Sequence, residues 1–201
     1  MRFFVTGFVL AVCAVVGMFL YGPPGHKEPS STILDMGGGH CTAVHIGDGY
    51  FLTAAHCTAN PGAITLGEEG DIVLRLWAHD SYDVALVHVE NPTVEREAAP
   101  IRCSKPVIGE PIYTVGNPVS FRDVWLWGRV SGTSVSIQQW RIAVPVSLAV
   151  AGGSSGGPVF DAEGNLLGIV TATPVHFGGL SLMTPTYAVC PMLGHMVKYV
   201  D

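Results

Sequence analysis

Short apolar runs alternate with turn residues along most of this chain. Nine such runs lie between clusters of Gly, Pro, Asn, Asp and Ser, and no long segment with a helical period separates them. The runs are TAVHI, YFLTAA, DIVLRLWA, VALVHV, PIYTVG, VWLWGRV, RIAVPV, LLGIVTA and LMTPTYAV. Apolar runs of strand length between turn signals indicate an antiparallel β-barrel or sandwich. From residue 35 onward, only the C-terminal segment CPMLGHMVKYV is compatible with a helix.

A different pattern occupies the N-terminus. Arg2 is followed by 19 uncharged, mostly apolar residues, from Phe3 to Tyr21. About 20 such residues cross a bilayer as a helix, whereas the apolar part of a signal peptide has about 7–15 and ends in small residues. We therefore expect a membrane anchor within residues 1–21, with a cleaved signal sequence and secretion as the alternative. Both place the remaining chain outside the cytoplasm, because Arg2 and the amino terminus favour the inside.

Composition limits the remaining domain. Residues 22–34 are polar and Pro-rich, which indicates a linker, and we expect the folded domain at 35–201. With 201 residues, 48% of them apolar, the chain can bury one domain or two small packed halves. A net charge of −6 without a Lys/Arg cluster argues against a nucleic-acid partner. The four tryptophans are expected to pack within the barrels.

Candidate chemistry lies in three of the turn regions. A serine hydroxyl becomes a good nucleophile when a neutral imidazole takes its proton and a carboxylate orients that imidazole. His56 follows the apolar run YFLTAA, Asp83 precedes the run VALVHV, and GGSSGGP at 152–158 contains two serines. Asp80 is a competing carboxylate three residues before Asp83.

These motifs resemble those of the trypsin-like, chymotrypsin-fold serine peptidases. The similarity is carried by TAAHC at 53–57, DVAL at 83–86 and GSSGGP at 153–158, in the order His, Asp, Ser. It is closest to compact HtrA-like, bacterial or viral members without a PDZ domain. The resemblance implies two six-stranded antiparallel β-barrels, at about 35–100 and 108–201, and a short C-terminal helix.

The resemblance also implies roles for individual residues. His56 would act as the general base and acid, Asp83 would orient it, and Ser155 would be the nucleophile. The backbone N–H groups of Gly153 and Ser155 would form the oxyanion hole. Ser154 stands where many members have an aspartate that pairs with a newly released amino terminus. We therefore expect no activation by insertion of an N-terminus.

Four cysteines lie in the predicted domain. The resemblance implies a disulfide between Cys41 and Cys57 beside the histidine motif, and some members join the equivalents of Cys103 and Cys190. Two free, buried thiols are the alternative for Cys103 and Cys190.

A metal site is the competing interpretation of the pairs HC at 40–41 and 56–57. Zinc accepts histidine and cysteine ligands, but these pairs lack the C-x-x-C or H-x(3–5)-H spacing of structural sites. We therefore expect neither a metal nor a cofactor.

Substrate recognition is expected on two segments. In the family, two segments frame the pocket for the residue before the scissile bond. One precedes the nucleophile and here includes Ala149. The other is the strand after the nucleophile and here includes Thr171, Ala172 and Thr173. Ala149 carries no charge, so a small or medium apolar residue is expected there. The sequence therefore predicts a serine endopeptidase with a polypeptide substrate; an inactive homologue that binds peptides or other partners is the alternative.

Overall fold

The computed structural model describes residues 30–59, 62–79, 81–137, 140–173, 178–194 and 199–200. Over these ranges the chain forms sixteen β-strands, two 3₁₀ turns and a single α-helix of four residues. The strands belong to two sheets that are largely antiparallel, one in each half of the chain. The all-β class expected from the apolar runs is confirmed, since each of the nine runs contributes residues to a strand.

The first sheet closes into a barrel. Its strands are β1 (Ser31–Asp35), β2 (His40–Gly47), β3 (Tyr50–Thr53), β4 (Thr65–Leu66), β5 (Asp71–Ile72), β6 (Leu74–Ala78) and β7 (Ala85–His88). They are ordered β5-β4-β1-β2-β3-β7-β6. Only Val73 separates β5 from β6, so the two edges are parts of one chain segment. Counting that segment as one strand, the barrel has six, and Leu34, Phe51 and Val87 are buried in its core.

The second sheet also returns on itself. Its strands are β8 (Ile101–Arg102), β9 (Pro111–Gly116), β10 (Val124–Arg129), β11 (Val135–Ile137), β12 (Trp140–Val146), β13 (Pro158–Asp161), β14 (Leu166–Ala172), β15 (Ser181–Pro185) and β16 (Tyr199–Val200). The main path is β10-β9-β13-β14-β15-β12-β11. A bridge between Val130 and Val146 links the end of β10 to β12. Six strands thus form a ring, while β11 extends it and β8 and β16 add parallel pairs.

The barrels share one apolar cluster. Val44 and Leu52 of the first barrel pack with Val115, Phe160 and Ile169 of the second. All five side chains are at most 5% exposed. Because this cluster joins the barrels, the loops at the adjoining strand ends meet between them.

The first strand begins earlier than the sequence predicts. β1 starts at Ser31, inside the predicted linker 22–34. Leu34 is fully buried and pairs with Cys41 of β2. A five-residue strand directly after a Pro-rich stretch offers little local pattern, so its place in the barrel depends on β2 and β4. Residues 1–29, with the predicted anchor, lie outside the described residues.

The one α-helix within the described ranges is short. It spans Cys190–Leu193, within the segment predicted to be helical, and is followed by Gly194 with a φ of 55°. No helix within the described ranges is long and apolar enough to cross a membrane.

Two tryptophans do not pack as predicted. Trp125 and Trp127 of β10 are 45% and 72% exposed. The side chains of β10 alternate between partly buried and exposed, and the less exposed positions are Val124, Leu126 and Gly128. Both tryptophans therefore lie on the outer face of the barrel, because strand neighbours point to opposite sides of a sheet.

Both disulfides implied by the resemblance are present. Cys41 pairs with Cys57 across a Cα–Cα distance of 6.2 Å, and Cys103 pairs with Cys190 across 6.0 Å. The first ties β2 to the turn that carries His56, and the second ties the segment between the barrels to the helix. For the short loop closed by Cys41 and Cys57, the chain-entropy model predicts that the disulfide raises the free energy of unfolding by about 3 kcal/mol.

Candidate active site

His56 lies on a tight turn directly after β3. Residues Ala55–Thr58 form a 3₁₀ turn in which Cys57 is buried and disulfide-bonded. Thr58 Oγ1 donates to the Ala55 carbonyl at 3.0 Å, which closes the turn. The His56 side chain remains 44% exposed. The backbone is therefore anchored while the imidazole faces solvent.

Asp83 holds this histidine with both carboxylate oxygens. His56 Nδ1 donates to Asp83 Oδ2 at 2.7 Å, and the His56 backbone N–H donates to Oδ1 at 3.0 Å. The Asp83 side chain is only 1% exposed. A carboxylate accepts hydrogen bonds, so a neutral His56 carries its proton on Nδ1 and leaves Nε2 free to accept one.

The turn at 152–157 packs directly against the histidine loop. Gly156 has a φ of 80°, and a Cβ there would lie 2.2 Å from the Thr42 carbonyl oxygen and 2.8 Å from the Ala54 nitrogen. The Thr42 N–H donates to the Ser155 carbonyl at 2.8 Å. That carbonyl oxygen lies 4.0 Å from Cys57 Sγ, next to His56 in the chain. Glycine is required at 156 because the approach is backbone to backbone.

Three N–H groups of the turn have no acceptor among the described residues. One belongs to exposed Gly152, and the other two belong to Gly153 and Ser155, which are partly exposed residues. The Gly152 carbonyl accepts from Val119 N–H at 2.7 Å, and the Ser154 carbonyl accepts from Gly157 N–H at 2.9 Å. In a trans peptide the N–H points opposite to the carbonyl. The N–H groups of Gly153 and Ser155 therefore point away from the groups that hold these two carbonyls. They can bind a negatively charged oxygen.

Val119 holds the Gly152 carbonyl from a strained conformation. Its φ is 55°, a region that costs a side-chain-bearing residue about 1–2 kcal/mol and that β-branched residues rarely adopt. Val119 is 60% exposed. Val119 contributes to the turn through its backbone N–H, which donates to the Gly152 carbonyl, and not through apolar contacts of its side chain.

Relief of this strain is testable. Val119→Asn should raise the free energy of unfolding by about 1 kcal/mol in urea, because asparagine tolerates positive φ and keeps the backbone N–H. Val107→Asn is the matched control, since Val107 is 64% exposed and has no positive φ. An equal response of the two variants would contradict the strain argument.

The predicted substrate-binding residues lie on both sides of β15. Ser181 Oγ donates to the Leu148 carbonyl at 2.6 Å, beside exposed Ala149, and Leu182 pairs with Ala172 of β14. Thr173 is exposed. The Thr171 side chain instead faces the core and is 2% exposed.

Thr184 is a neighbour of the site that no sequence motif indicates. Its Oγ1 lies 2.7 Å from Thr171 Oγ1 and donates to the Asp83 carbonyl at 3.4 Å. Thr184 is 2% exposed. It thus connects β15 of the second barrel to the residue that holds His56.

One group of potential metal ligands is found within the described ranges. One ligand atom each from Cys41, His56 and Cys57 lies within 4.8 Å of the others. Zinc binds cysteine as the thiolate. Both sulfurs are engaged in the Cys41–Cys57 disulfide, so this group does not offer a zinc ligand set.

Comparison with known families identifies the domain. The family model described as "Trypsin-like peptidase domain" matches residues 41–169. The chain belongs to this family. As a trypsin-like peptidase domain, it is 26% identical over 166 residues to the periplasmic pH-dependent serine endoprotease DegQ of Escherichia coli, covering 79% of this chain and 36% of DegQ. It is 29% identical over 165 residues to a probable periplasmic serine endoprotease, DegP-like, of Brucella suis, and the match covers 78% of this chain and 30% of that protein. This trypsin-like chain thus spans about a third of the length of these curated relatives.

Solved trypsin-like structures share the fold. The active form of the Rv3671c protease of M. tuberculosis superposes with a TM-score of 0.73 at 20% identity, covering 87% of this chain and 85% of that one. The HtrA-type protease AlgW with a tripeptide superposes with a TM-score of 0.72 at 24% identity, covering 85% of this chain and 62% of that one. The resemblance to HtrA-like trypsin-type peptidases is confirmed.

Proposed function

We propose that this protein is a serine endopeptidase in which His56, Asp83 and Ser155 act as the catalytic triad. The observation that carries the proposal is the 2.7 Å hydrogen bond between His56 Nδ1 and buried Asp83, on a loop packed against the turn of Ser155. A serine peptidase requires an imidazole held in this tautomer beside a serine turn with free N–H groups.

The proposed reaction has two halves. His56 Nε2 takes the proton of Ser155 Oγ as the oxygen attacks the peptide carbonyl, and the N–H groups of Gly153 and Ser155 bind the resulting oxyanion. His56 then protonates the leaving amine, and an acyl group remains on Ser155. Water attacks this ester with His56 again as the base, which restores the serine. Asp83 stabilises the imidazolium in both halves.

The proposed substrate is an extended polypeptide. Backbone groups of residues 171–173 would pair with the substrate as an added strand. Ala149 offers no charge near the pocket, so a small or medium apolar residue before the cleaved bond is part of the proposal.

An extracytoplasmic location is proposed for the peptidase domain, with residues 3–21 as the membrane anchor. Disulfides persist in oxidising compartments, and this domain contains two. The similar DegQ and DegP-like proteins are described as periplasmic.

Active-site labelling tests the proposed activity. A fluorophosphonate probe is expected to form one covalent adduct, and peptide mass spectrometry should locate it on Ser155. Ser154→Ala should still be labelled at Ser155, because Ser154 is only 4% exposed and its hydroxyl is therefore not open to the probe. Heat-denatured protein is the negative control. A folded wild-type protein without an adduct would contradict the proposal and favour an inactive, peptide-binding homologue.

A further inference from the structure

We propose that Thr42 is a positioning residue that locks the turn carrying the oxyanion-binding N–H groups. This inference rests on the proposed function and adds a residue that no motif indicates. Thr42 lies on β2 of the first barrel, whereas the turn precedes β13 of the second. Its side chain is fully buried.

Thr42 contacts two carbonyls of the turn. Its Oγ1 donates to the Gly153 carbonyl at 2.9 Å, and its backbone N–H donates to the Ser155 carbonyl at 2.8 Å. The second bond is available to any residue except proline, but the first requires a hydroxyl. The side chain of Thr42 therefore makes a contact that cannot be replaced by the strand backbone.

Neighbouring groups set the direction of the hydroxyl. Asn117 donates to Thr42 Oγ1 from its backbone N–H at 3.1 Å and from Nδ2 at 3.4 Å. The Asn117 amide orientation is supported by Oδ1, which accepts from Asp123 N–H at 3.3 Å. With two donors directed at its oxygen, the Thr42 hydroxyl has its own proton left for the Gly153 carbonyl.

This hydrogen bond fixes the peptide between the two proposed oxyanion donors. The Gly153 carbonyl is held by Thr42, and the Ser154 N–H donates to the Ala151 carbonyl at 3.0 Å. Gly153 has a φ of 94°, and Gly152 precedes it. Glycine at 153 rotates easily, so without the Thr42 hydroxyl the middle peptide is held only by the Ser154 N–H bond to Ala151, and the flanking N–H groups shift as it reorients.

The test compares acylation by variants that differ in one hydroxyl. Thr42→Val removes the donor and keeps the shape, and Thr42→Ser restores the donor. Thr42→Ala serves as a second hydroxyl-free variant, because it places no methyl group against the Gly153 carbonyl. Thr186→Val is the matched control, since Thr186 is also a buried threonine, 2.6 Å from the Arg102 carbonyl in the second barrel.

The readout is the burst of p-nitrophenolate that the 201-residue chain releases from p-nitrophenyl acetate. The apparent KM and the melting temperature are measured in parallel. Removal of one oxyanion donor costs about 10²–10³-fold in kcat, so misaligned donors in Thr42→Val and Thr42→Ala should slow acylation by roughly 10- to 100-fold with little change in KM. Thr42→Ser should recover to within about threefold of the wild type, and Thr186→Val should acylate at the wild-type rate even where its melting temperature falls.

The possible results separate the two proposals. A folded Thr42→Val or Thr42→Ala that acylates as fast as the wild type overturns the role of Thr42 and leaves the triad intact. The role is equally overturned if Thr42→Ser is as slow as Thr42→Ala, because the hydroxyl then has no effect. Absence of a burst in the folded wild type overturns the proposed function, and the role of Thr42 with it.

Discussion

Ser155→Ala is expected to lower kcat for cleavage of labelled casein by about 10⁶-fold, because loss of the nucleophile removes the whole acylation route. The fold should be unaffected. The backbone contacts of residue 155, including the 2.8 Å bond from Thr42 N–H to its carbonyl, do not involve the hydroxyl. The free energy of unfolding should therefore change by no more than about 0.5 kcal/mol.

The control for this variant is Ser120→Ala, which removes an exposed hydroxyl two residues after Pro118 in the segment beside the turn. It should cleave casein at the wild-type rate. A purified Ser155→Ala protein that retains more than a trace of turnover would show that another group performs the attack.

Asp83→Asn is expected to lower kcat by about 10⁴-fold. An amide at this position can present an N–H to His56 Nδ1, which would then have to be the unprotonated nitrogen. The neutral ring would carry its proton on Nε2 and could not accept one from Ser155. The 2.7 Å distance between Nδ1 and Oδ2 leaves no room for a bridging water that could correct the tautomer.

Asp161→Asn is the matched control. Asp161 is also buried, at 1% exposed, and pairs with Arg102 at 3.2 Å in the second barrel. Its replacement should lower stability without changing kcat of the folded protein. Casein turnover and urea unfolding should be measured on both variants. If Asp83→Asn retained wild-type kcat while remaining folded, the orienting role of Asp83 would be excluded.

Much of the fold could be predicted because its cause is local. Apolar runs such as PIYTVG and LLGIVTA coincide with β9 and β14 along their whole length. By contrast, β4 and β8 have only two residues each and lie outside the nine apolar runs. A two-residue strand has no periodicity of its own and is defined by the partner that pairs with it. The prediction that Trp125 and Trp127 pack within the barrels is wrong for a related reason, since composition does not tell which face of a strand meets the core.

The candidate site likewise contains residues that sequence motifs indicate and residues that only the structure reveals. His56, Asp83 and Ser155 stand in motifs whose neighbours are specific, such as the glycines at 153 and 156. Thr42 stands in no such motif. A threonine on a strand is favoured by its β-branched shape alone, so its hydroxyl attracts no notice until its partner is known.

The sequence by itself left Cys103 and Cys190 open between a disulfide and two free thiols. It determined the all-β class, the family, the Cys41–Cys57 pairing implied by the resemblance and the three candidate catalytic residues. Only the tertiary structure decided which groups hold them: Thr42 contacts Gly153 across 111 positions of the chain, and Asn117 contacts Thr42 across 75. The physical reason is that catalytic motifs depend on local backbone shape, which short sequences specify. Their supports are hydrogen bonds between two closed barrels, whose partners become neighbours only when both barrels have packed together.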